Sequence, residues 1–390
     1  MSALASRVEA LRARLAERAG VPLADVRAVV SPYRICPLGA HSDHQHGPVL
    51  GMAIDAYTLL AFVPHEAAQV ELESADFEPR ASIPLVAGAP PPEPVWHRYV
   101  FGAARVGHTP RGFRACMEGT LPGGGLSSSA SAVIAYLLAF SDTNDLALTA
   151  RELARAAVRV ENEFVGVACG ALDPACIAGS RRGQLLAIET SPLSWQPVRL
   201  GAGAEARFLV VSTGRSRSLA ATAFNARVEE CHEAARALGR AAGRDMSHLG
   251  DLERDVFEAH GAKLSPPLLR RARHFFSERD RVRAGLVCWR RGDLPAFGEL
   301  MNASCASSIH DYETGSPELV ALQALLVETP GVLGARFSGA GFGGCSIALV
   351  TPDTESDVIA HLHQTLLSAF GGDPAPRIFS VASEDAAHVL

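Results

Sequence analysis

Several common features are missing from this sequence, and each absence excludes a class of function. No stretch approaches the roughly 18 consecutive apolar residues of a membrane span. The N-terminus places Leu4, Val8, Leu11 and Leu15 on one helix face, with Arg12, Arg14, Glu17 and Arg18 largely elsewhere, and lacks the unbroken apolar core of a secretory signal. There is no long basic run, and a formal charge of −6 leaves no electrostatic footprint for nucleic acid. The eight cysteines (Cys36, Cys116, Cys169, Cys176, Cys231, Cys288, Cys305 and Cys345) form no C-x-x-C pair, so they read as reduced thiols of a cytoplasmic protein. Internal repeats and long disordered tracts are also missing. What remains is 390 residues, 48% hydrophobic and 20% charged, enough for two domains with a core each.

Periodicity and turn residues predict strands at 26–30, 58–63, 69–74 and 112–118 and a proline-rich surface loop at 84–94. Helices are predicted at 96–106, 132–142 and 149–164, the last opened by a threonine cap. Strands at 184–188 and 206–211 follow, with a domain boundary between them near 197–204, giving domains of 1–200 and 201–390. The second half is mostly helical, at 220–242, 267–291, 294–308 and 317–328. Strands at 334–338 and 345–350 flank a glycine loop, and helix 355–370 and strand 377–382 close the chain. The pattern is α+β in two halves.

Three segments carry chemistry. Leu121-Pro122-Gly123-Gly124-Gly125-Leu126-Ser127-Ser128-Ser129-Ala130-Ser131 runs directly into an apolar helix. A glycine-rich loop feeding a helix N-terminus presents free N–H groups and partial positive charge to a phosphate, and a serine hydroxyl can ligate Mg2+. A glycine turn with a serine cap is the plainer alternative. No lysine precedes the serines, which excludes a Walker loop. The segment Ser31-Pro32-Tyr33-Arg34-Ile35-Cys36-Pro37-Leu38-Gly39-Ala40-His41-Ser42-Asp43-His44-Gln45-His46-Gly47 gathers one cation, three imidazoles and a carboxylate. Its His41, Asp43, His44 and His46 match no standard zinc spacing, and a polar loop for sugar hydroxyls fits better. In the third segment, 161–174, Asp173 lies in apolar, glycine-containing surroundings, as either a buried cap or a functional acid/base. Glu161 falls near a helix C-terminus, where the dipole disfavours it and a cation such as Mg2+ is invited. A fourth stretch, Gly339-Ala340-Gly341-Phe342-Gly343-Gly344, satisfies G-x-G-x-x-G. A strand follows it rather than a helix, so a hairpin pressed against a ligand, or a tight turn, is expected in place of a dinucleotide site.

In this order the segments resemble the GHMP small-molecule kinases, within them the galactokinase branch, over about 28–350. The resemblance implies a ribosomal-protein-like N-terminal domain, a ferredoxin-like C-terminal domain, and a cleft holding ATP and sugar. It implies that Gly123, Gly124, Gly125, Leu126, Ser127, Ser128 and Ser129 form the phosphate loop. Ser129 and Glu161 would hold Mg2+, Asp173 would be the catalytic aspartate, and Arg34 would lie beside it. His41, Asp43, Cys169 and Gly170 match substrate positions, Trp96 the tryptophan near adenine, and Gly341 the third glycine motif.

The departures bear on substrate. Leu121-Pro122 reverses the family's usual order. Galactokinases are similar to G-E-H-T-D where this chain has Gly39-Ala40-His41-Ser42-Asp43, and the missing glutamate is the one implied to hold a sugar 6-hydroxyl. Against a 6-carboxylate such a glutamate would cost about 4 kcal/mol at an effective dielectric of about 20. Arg217, in Gly214-Arg215-Ser216-Arg217-Ser218-Leu219, replaces a histidine, and an arginine fork suits a carboxylate. Phe224 replaces a sugar-facing tyrosine. Segments 31–47, 307–316 and Gly334-Ala335-Arg336-Phe337-Ser338-Gly339-Ala340-Gly341-Phe342 look most like the galacturonokinases of plants. The resemblance therefore implies ATP- and Mg2+-dependent phosphorylation of galacturonate at its anomeric hydroxyl, yielding galacturonate 1-phosphate. A galactose or L-arabinose kinase is the alternative, followed by an idle sugar-sensing regulator. The partner is a small sugar or uronic acid, with no nucleic acid and no membrane.

Overall fold

A computed structural model describes residues 2–86, 88–107, 109–121, 125–212, 214, 220–371 and 375–390. Helix α1 (Ala3–Ala19) opens on a Ser2 cap and lays Val8, Leu11 and Leu15 against the first sheet. That sheet begins with β1 (Arg27–Leu38), β2 (Val49–His65), β3 (Gln69–Ser74) and β4 (Ala81–Pro84). Next come α2 (Trp96–Gly107), β5 (Gly112–Gly119), α3 (Ser128–Thr143), α4 (Ala150–Arg159) and α5 (Leu172–Gly179). Strands β6 (Gln184–Thr190) and β7 (Leu193–Arg199) end this half.

The second half starts with β8 (Arg207–Ser212) and continues through α6 (Ala220–Ala241), α7 (Arg254–His260), α8 (Pro266–Arg291), α9 (Leu294–His310) and α10 (Pro317–Glu328). It closes with β9 (Gly334–Phe337), β10 (Cys345–Val350), α11 (Pro352–Phe370), β11 (Arg377–Val381) and the short β12 (His388–Val389). Strands β8 to β11 pair in the order β11-β8-β10-β9, all antiparallel, while β12 joins the first sheet. Numbered within the half this is 4-1-3-2, the split βαβ arrangement expected from the resemblance. The first sheet has the order β12-β1-β2-β5-β3-β4, with β6 and β7 added beside the start of β2. The α+β expectation therefore holds. Among the described residues no helix is long and apolar enough to cross a membrane. All eight cysteines are free thiols.

Burial explains the layering. Helices α2 to α5 cover one face of the first sheet, packing Val133, Ile134 and Phe140 against Phe62, Phe113 and Val29. At its far end the same sheet meets the second half through a shared apolar core: Ile35, Leu50 and Met52 pack with Val210, Trp289, Phe297 and Ile347. Strand β1 serves both because it changes face part-way. Before the register shift at Pro32/Tyr33, odd residues face the helices, as Val29 in their core and Ser31 bonded to the Ser131 carbonyl show. After it, even residues do, and Arg34 and Cys36 turn inward. A bulge re-aims a side chain in this way.

The predicted elements differ from the observed ones where tertiary pairing overrides local signals. Strand β7 runs into the stretch expected as a domain boundary near 197–204; among the described residues it pairs only with β6, and Pro197 is tolerated on such an edge strand. Helices α5 and α7 were also not predicted, both being of eight residues or fewer. The predicted helix 149–164 does open on Thr149, in a capping box with Glu152, but its last turn widens into a π-helix over Val160–Val165. Truncating fully buried Phe297 to alanine is expected to cost about 3–5 kcal/mol, read as a lower urea midpoint; an unchanged midpoint would show that the halves do not share this core.

Candidate active site

Arg34 enters the protein interior from β1 and meets Asp173 in the first turn of α5, with Nε 2.6 Å from Oδ1. Its Nη1 donates to the Gly125 carbonyl at 3.1 Å, and its backbone N–H to the Leu126 carbonyl at 3.2 Å. Burial opposes the charge on Arg34, but the adjacent Asp173 carboxylate outweighs burial and raises its pKa. The other oxygen of Asp173 accepts from the Ser127 hydroxyl. Ser127 sits at the N-cap of α3 with φ 60° and makes no capping bond, so its hydroxyl is free for Asp173.

Gly125 shows why the loop needs glycine. Its φ is +94°, and a Cβ there would lie 2.8 Å from the Ser338 carbonyl. A Cβ on Gly339 would in turn lie 2.8 Å from Gly125 Cα, so the two glycine loops pack backbone to backbone. Gly170 is the second case: a Cβ would reach 2.4 Å from the Asp43 carboxyl group. That close approach lets Asp43 accept from the Leu172 N–H at 3.1 Å, capping α5 from a distant part of the chain. Burial, and then the charge of Asp173, push the Asp43 carboxyl up to about 6.

Two cavities meet here. One, of about 290 Å³, is lined by Arg34, Asp43, Glu161, Asp173, His41 and Arg336 among others. The second, of about 620 Å³, is lined by Trp96, Phe77, Tyr33, Tyr136 and Ser128 among others. Tyr99 and Ser129 line both, so the cavities abut at the start of α3. The π-helical turn carries Glu161 to this junction, where it bonds the Ser129 hydroxyl and accepts from Cys169 Sγ at 2.9 Å. Burial is the main influence on Glu161 and raises its pKa. A buried carboxylate whose bonded partners are a neutral thiol and a neutral hydroxyl fits a divalent cation with oxygen ligands.

A galacturonokinase of Arabidopsis thaliana is 37% identical over 372 residues, covering 88% of each chain. Residues 98–180 match the GHMP kinases N terminal domain, and residues 283–366 match GHMP kinases C terminal. The chain belongs to the GHMP kinases. A galactokinase of Roseiflexus sp. (strain RS-1) is 35% identical over 353 residues, covering 87% of each chain. The crystal structure of Lactococcus lactis galactokinase complexed with galactose superposes with a TM-score of 0.88 at 28% identity, covering 99% of this chain and 100% of that one.

In this GHMP kinase the small cavity brings together Arg34, Ala40, His41, Asp43, Ser127, Ser129, Glu161, Cys169, Gly170, Asp173 and Phe224 of the residues singled out from sequence. Trp96 and Ser128 line the larger one, with Trp96 stacked on Phe77 at 6.0 Å. The side chain of Leu126 lies in the shared core, 2% exposed among Tyr33, Ile35 and Met52. The Gly341 carbonyl accepts from the Gly315 N–H, and Gly339 and Ala340 of the same loop line the small cavity. Gly123, Gly124, Arg215 and Arg217 lie outside the described residues. The four metal-like residues of the 41–46 loop do not converge. His41, at φ 60°, stacks on Tyr312 at 4.2 Å, His44 Nε2 lies 2.9 Å from the Tyr312 hydroxyl, and His46 meets Asp251. Burial, with His274 next, holds the His41 pKa well down, so the ring is neutral.

Arg336 and Glu278 were missed. Glu278 is fully buried and accepts from the Gly39 N–H at 2.7 Å and the Ser304 hydroxyl at 2.6 Å, pinning the 39–47 loop. Burial pushes its carboxyl up, but Arg281, His274 and Arg336 outweigh this and hold it at about 2. The signal available for Arg336 was its place in a short strand with apolar neighbours, where a charge has no solvent to reach.

Burial first, and then Glu161, push the Cys169 thiol well up, so it stays protonated at neutral pH. Native protein at about pH 8 should leave Cys169 unalkylated by iodoacetamide while unfolded protein labels it; mapped labelling of Cys169 at the free-thiol rate would contradict this environment.

Proposed function

We propose that the chain is an ATP-dependent sugar 1-kinase whose substrate is galacturonate. The observation that carries the kinase reading is the carboxylate of Asp173, held by Arg34 and Ser127 in a sugar-sized cavity that abuts a second, aromatic-lined cavity at Ser129. The larger cavity would take the nucleotide, with its base against Trp96 and its phosphates toward the N-terminus of α3. The smaller would take the sugar, with its anomeric hydroxyl at Asp173.

Asp173 accepts the proton of that hydroxyl as the oxygen attacks the terminal phosphorus, whose bond to the bridging oxygen breaks to release ADP. Arg34 fixes the position of the carboxylate and offers positive charge where the phosphoryl group passes. Ser129 and Glu161 would hold Mg2+, which when bound neutralises phosphate charge. Neutral His41 and ionised Asp43 hydrogen-bond ring hydroxyls, and Phe224 closes the cavity against water. For the substrate, Ala40 supports a uronic acid, because it leaves no carboxylate to repel a 6-carboxylate, and the Arabidopsis relative is itself a galacturonokinase.

The test is ADP release with galacturonate, glucuronate, galactose and L-arabinose side by side, with and without Mg2+. Mg2+-dependent turnover preferring galacturonate supports the reading; preference for galactose or arabinose keeps the kinase and overturns the uronate. Asp173→Asn should lower kcat roughly 100-fold or more while ATP still raises the thermal midpoint; near-normal kcat would remove Asp173 from the chemistry. Protonation turns one oxygen of Asp43 from acceptor into donor and removes its charge, so activity should persist above its pKa and fall below it. The sugar kcat/KM is expected to drop below about pH 6, and Asp43→Asn to lack that limb; a flat wild-type profile from about pH 5 to 8 would contradict the assignment.

A further inference from the structure

His46 belongs to the histidine-rich loop yet lines neither cavity. It ends the short 3-10 turn Asp43–Gln45 with a left-handed φ of 60°, and its ring meets the segment between α6 and α7. That segment makes a 3-10 turn of its own, Leu249–Asp251, with His248 at the N-cap. Side chains three apart on such a turn lie one above the other, and His248 Nδ1 stands 3.7 Å from Asp251 Oδ2. The two turns are docked tightly. The Leu249 N–H donates to Gln45 Oε1 at 3.1 Å, and a Cβ on Gly250 would lie 2.5 Å from the Gln45 carbonyl oxygen.

Two imidazoles and a carboxylate from distant parts of the chain therefore converge. His46 Nδ1 is 2.8 Å from Asp251 Oδ1, and one donor atom from each of His46, His248 and Asp251 lies within 4.8 Å of the others. Among the described residues no arginine or lysine pairs with Asp251. A tetrahedral zinc ion with bonds of about 2.0–2.1 Å holds its ligands roughly 3.3 Å apart. The nitrogen–oxygen separations of 2.8 and 3.7 Å bracket that spacing. The two rings stack at 3.7 Å with 14° between their planes, so their lone pairs run side by side, and a rotation of the rings turns them toward one point. The three side chains are 26–37% exposed, which leaves room for that rotation and for a water as fourth ligand.

We infer that His46, His248 and Asp251 form a second metal site, for a divalent transition-metal ion such as Zn2+, separate from the Mg2+ position proposed at Ser129 and Glu161. Two imidazoles with one carboxylate select zinc over magnesium, which prefers oxygen ligands and keeps its waters. The ion ties the end of the loop bearing Ala40, His41 and Asp43 to the α6–α7 segment, so it stabilises that loop and takes no part in phosphoryl transfer. The inference does not depend on which sugar is the substrate.

The experiment titrates full-length protein, stripped with EDTA and dialysed, with Zn2+ against a chromophoric chelator at about pH 7.5, without nucleotide or sugar. The wild type should bind Zn2+, and its thermal midpoint should rise with Zn2+ concentration. His248→Ala and Asp251→Asn should each weaken that binding roughly 100-fold or more and abolish the rise. A double variant of the exposed α11 pair, His361→Ala with His363→Ala, should leave both unchanged. Asp251→Asn keeps the size of the side chain, so lost binding with an unchanged metal-free midpoint separates a ligand role from unfolding. No Zn2+ binding by the wild type, equally tight binding by both site variants, or displacement of the Zn2+ by millimolar Mg2+ would each overturn the inference.

Discussion

Arg34 and Asp173 stand 139 positions apart in the chain, and their contact ties together every part of the site. An arginine 3% exposed on a central strand is tolerable only if an anion meets it, so α5 must present Asp173 there. The remaining donors of the same guanidinium reach the Gly125 carbonyl and lie 3.5 Å from the Ser338 hydroxyl, and Ser338 itself donates to Gly125 at 2.7 Å. One side chain thereby positions a strand, the loop before α3, the loop after β9 and the helix bearing Asp173. The bulge in β1 is its precondition, because without the change of face Arg34 would point away from α5.

The charge balance around the small cavity follows. Among the described lining residues are three carboxylates, and only Asp173 has a bonded arginine. The upward shifts of Asp43 and Glu161 express that crowding and their burial. At the edge where Ser129 and Glu161 meet, the carboxylate and hydroxyl oxygens suit a cation.

Much of this was legible in sequence because it is local. Glycines before a helix, a threonine cap at Thr149, alternation in β3 and a short apolar run in β10 each carry their own signal, and the ordered motifs placed Arg34, Glu161 and Asp173 together. What sequence did not show depends on contacts far along the chain. Pro197 reads as a breaker until β6 is known to pair with it. The bonding of Ser127 to Asp173, rather than to its own helix, depends on a left-handed backbone angle. The packing of the Leu126 side chain in the shared core, and the bond from Gly315 to the Gly341 carbonyl, are likewise not visible in the motifs. Arg336 stood inside a quoted motif, yet its glycines drew the reading, since burial is not a property of any short segment.

The most direct test of the account is the identity of the phosphorylated product. The chain is incubated with ATP, Mg2+ and galacturonate, and the product is analysed by phosphorus and proton NMR. The account predicts a single new phosphate ester coupled to the anomeric proton, with the α-configuration and an intact 6-carboxylate. A phosphate at any other hydroxyl, or ATP hydrolysis without a sugar phosphate, would contradict the placement of the anomeric hydroxyl at Asp173.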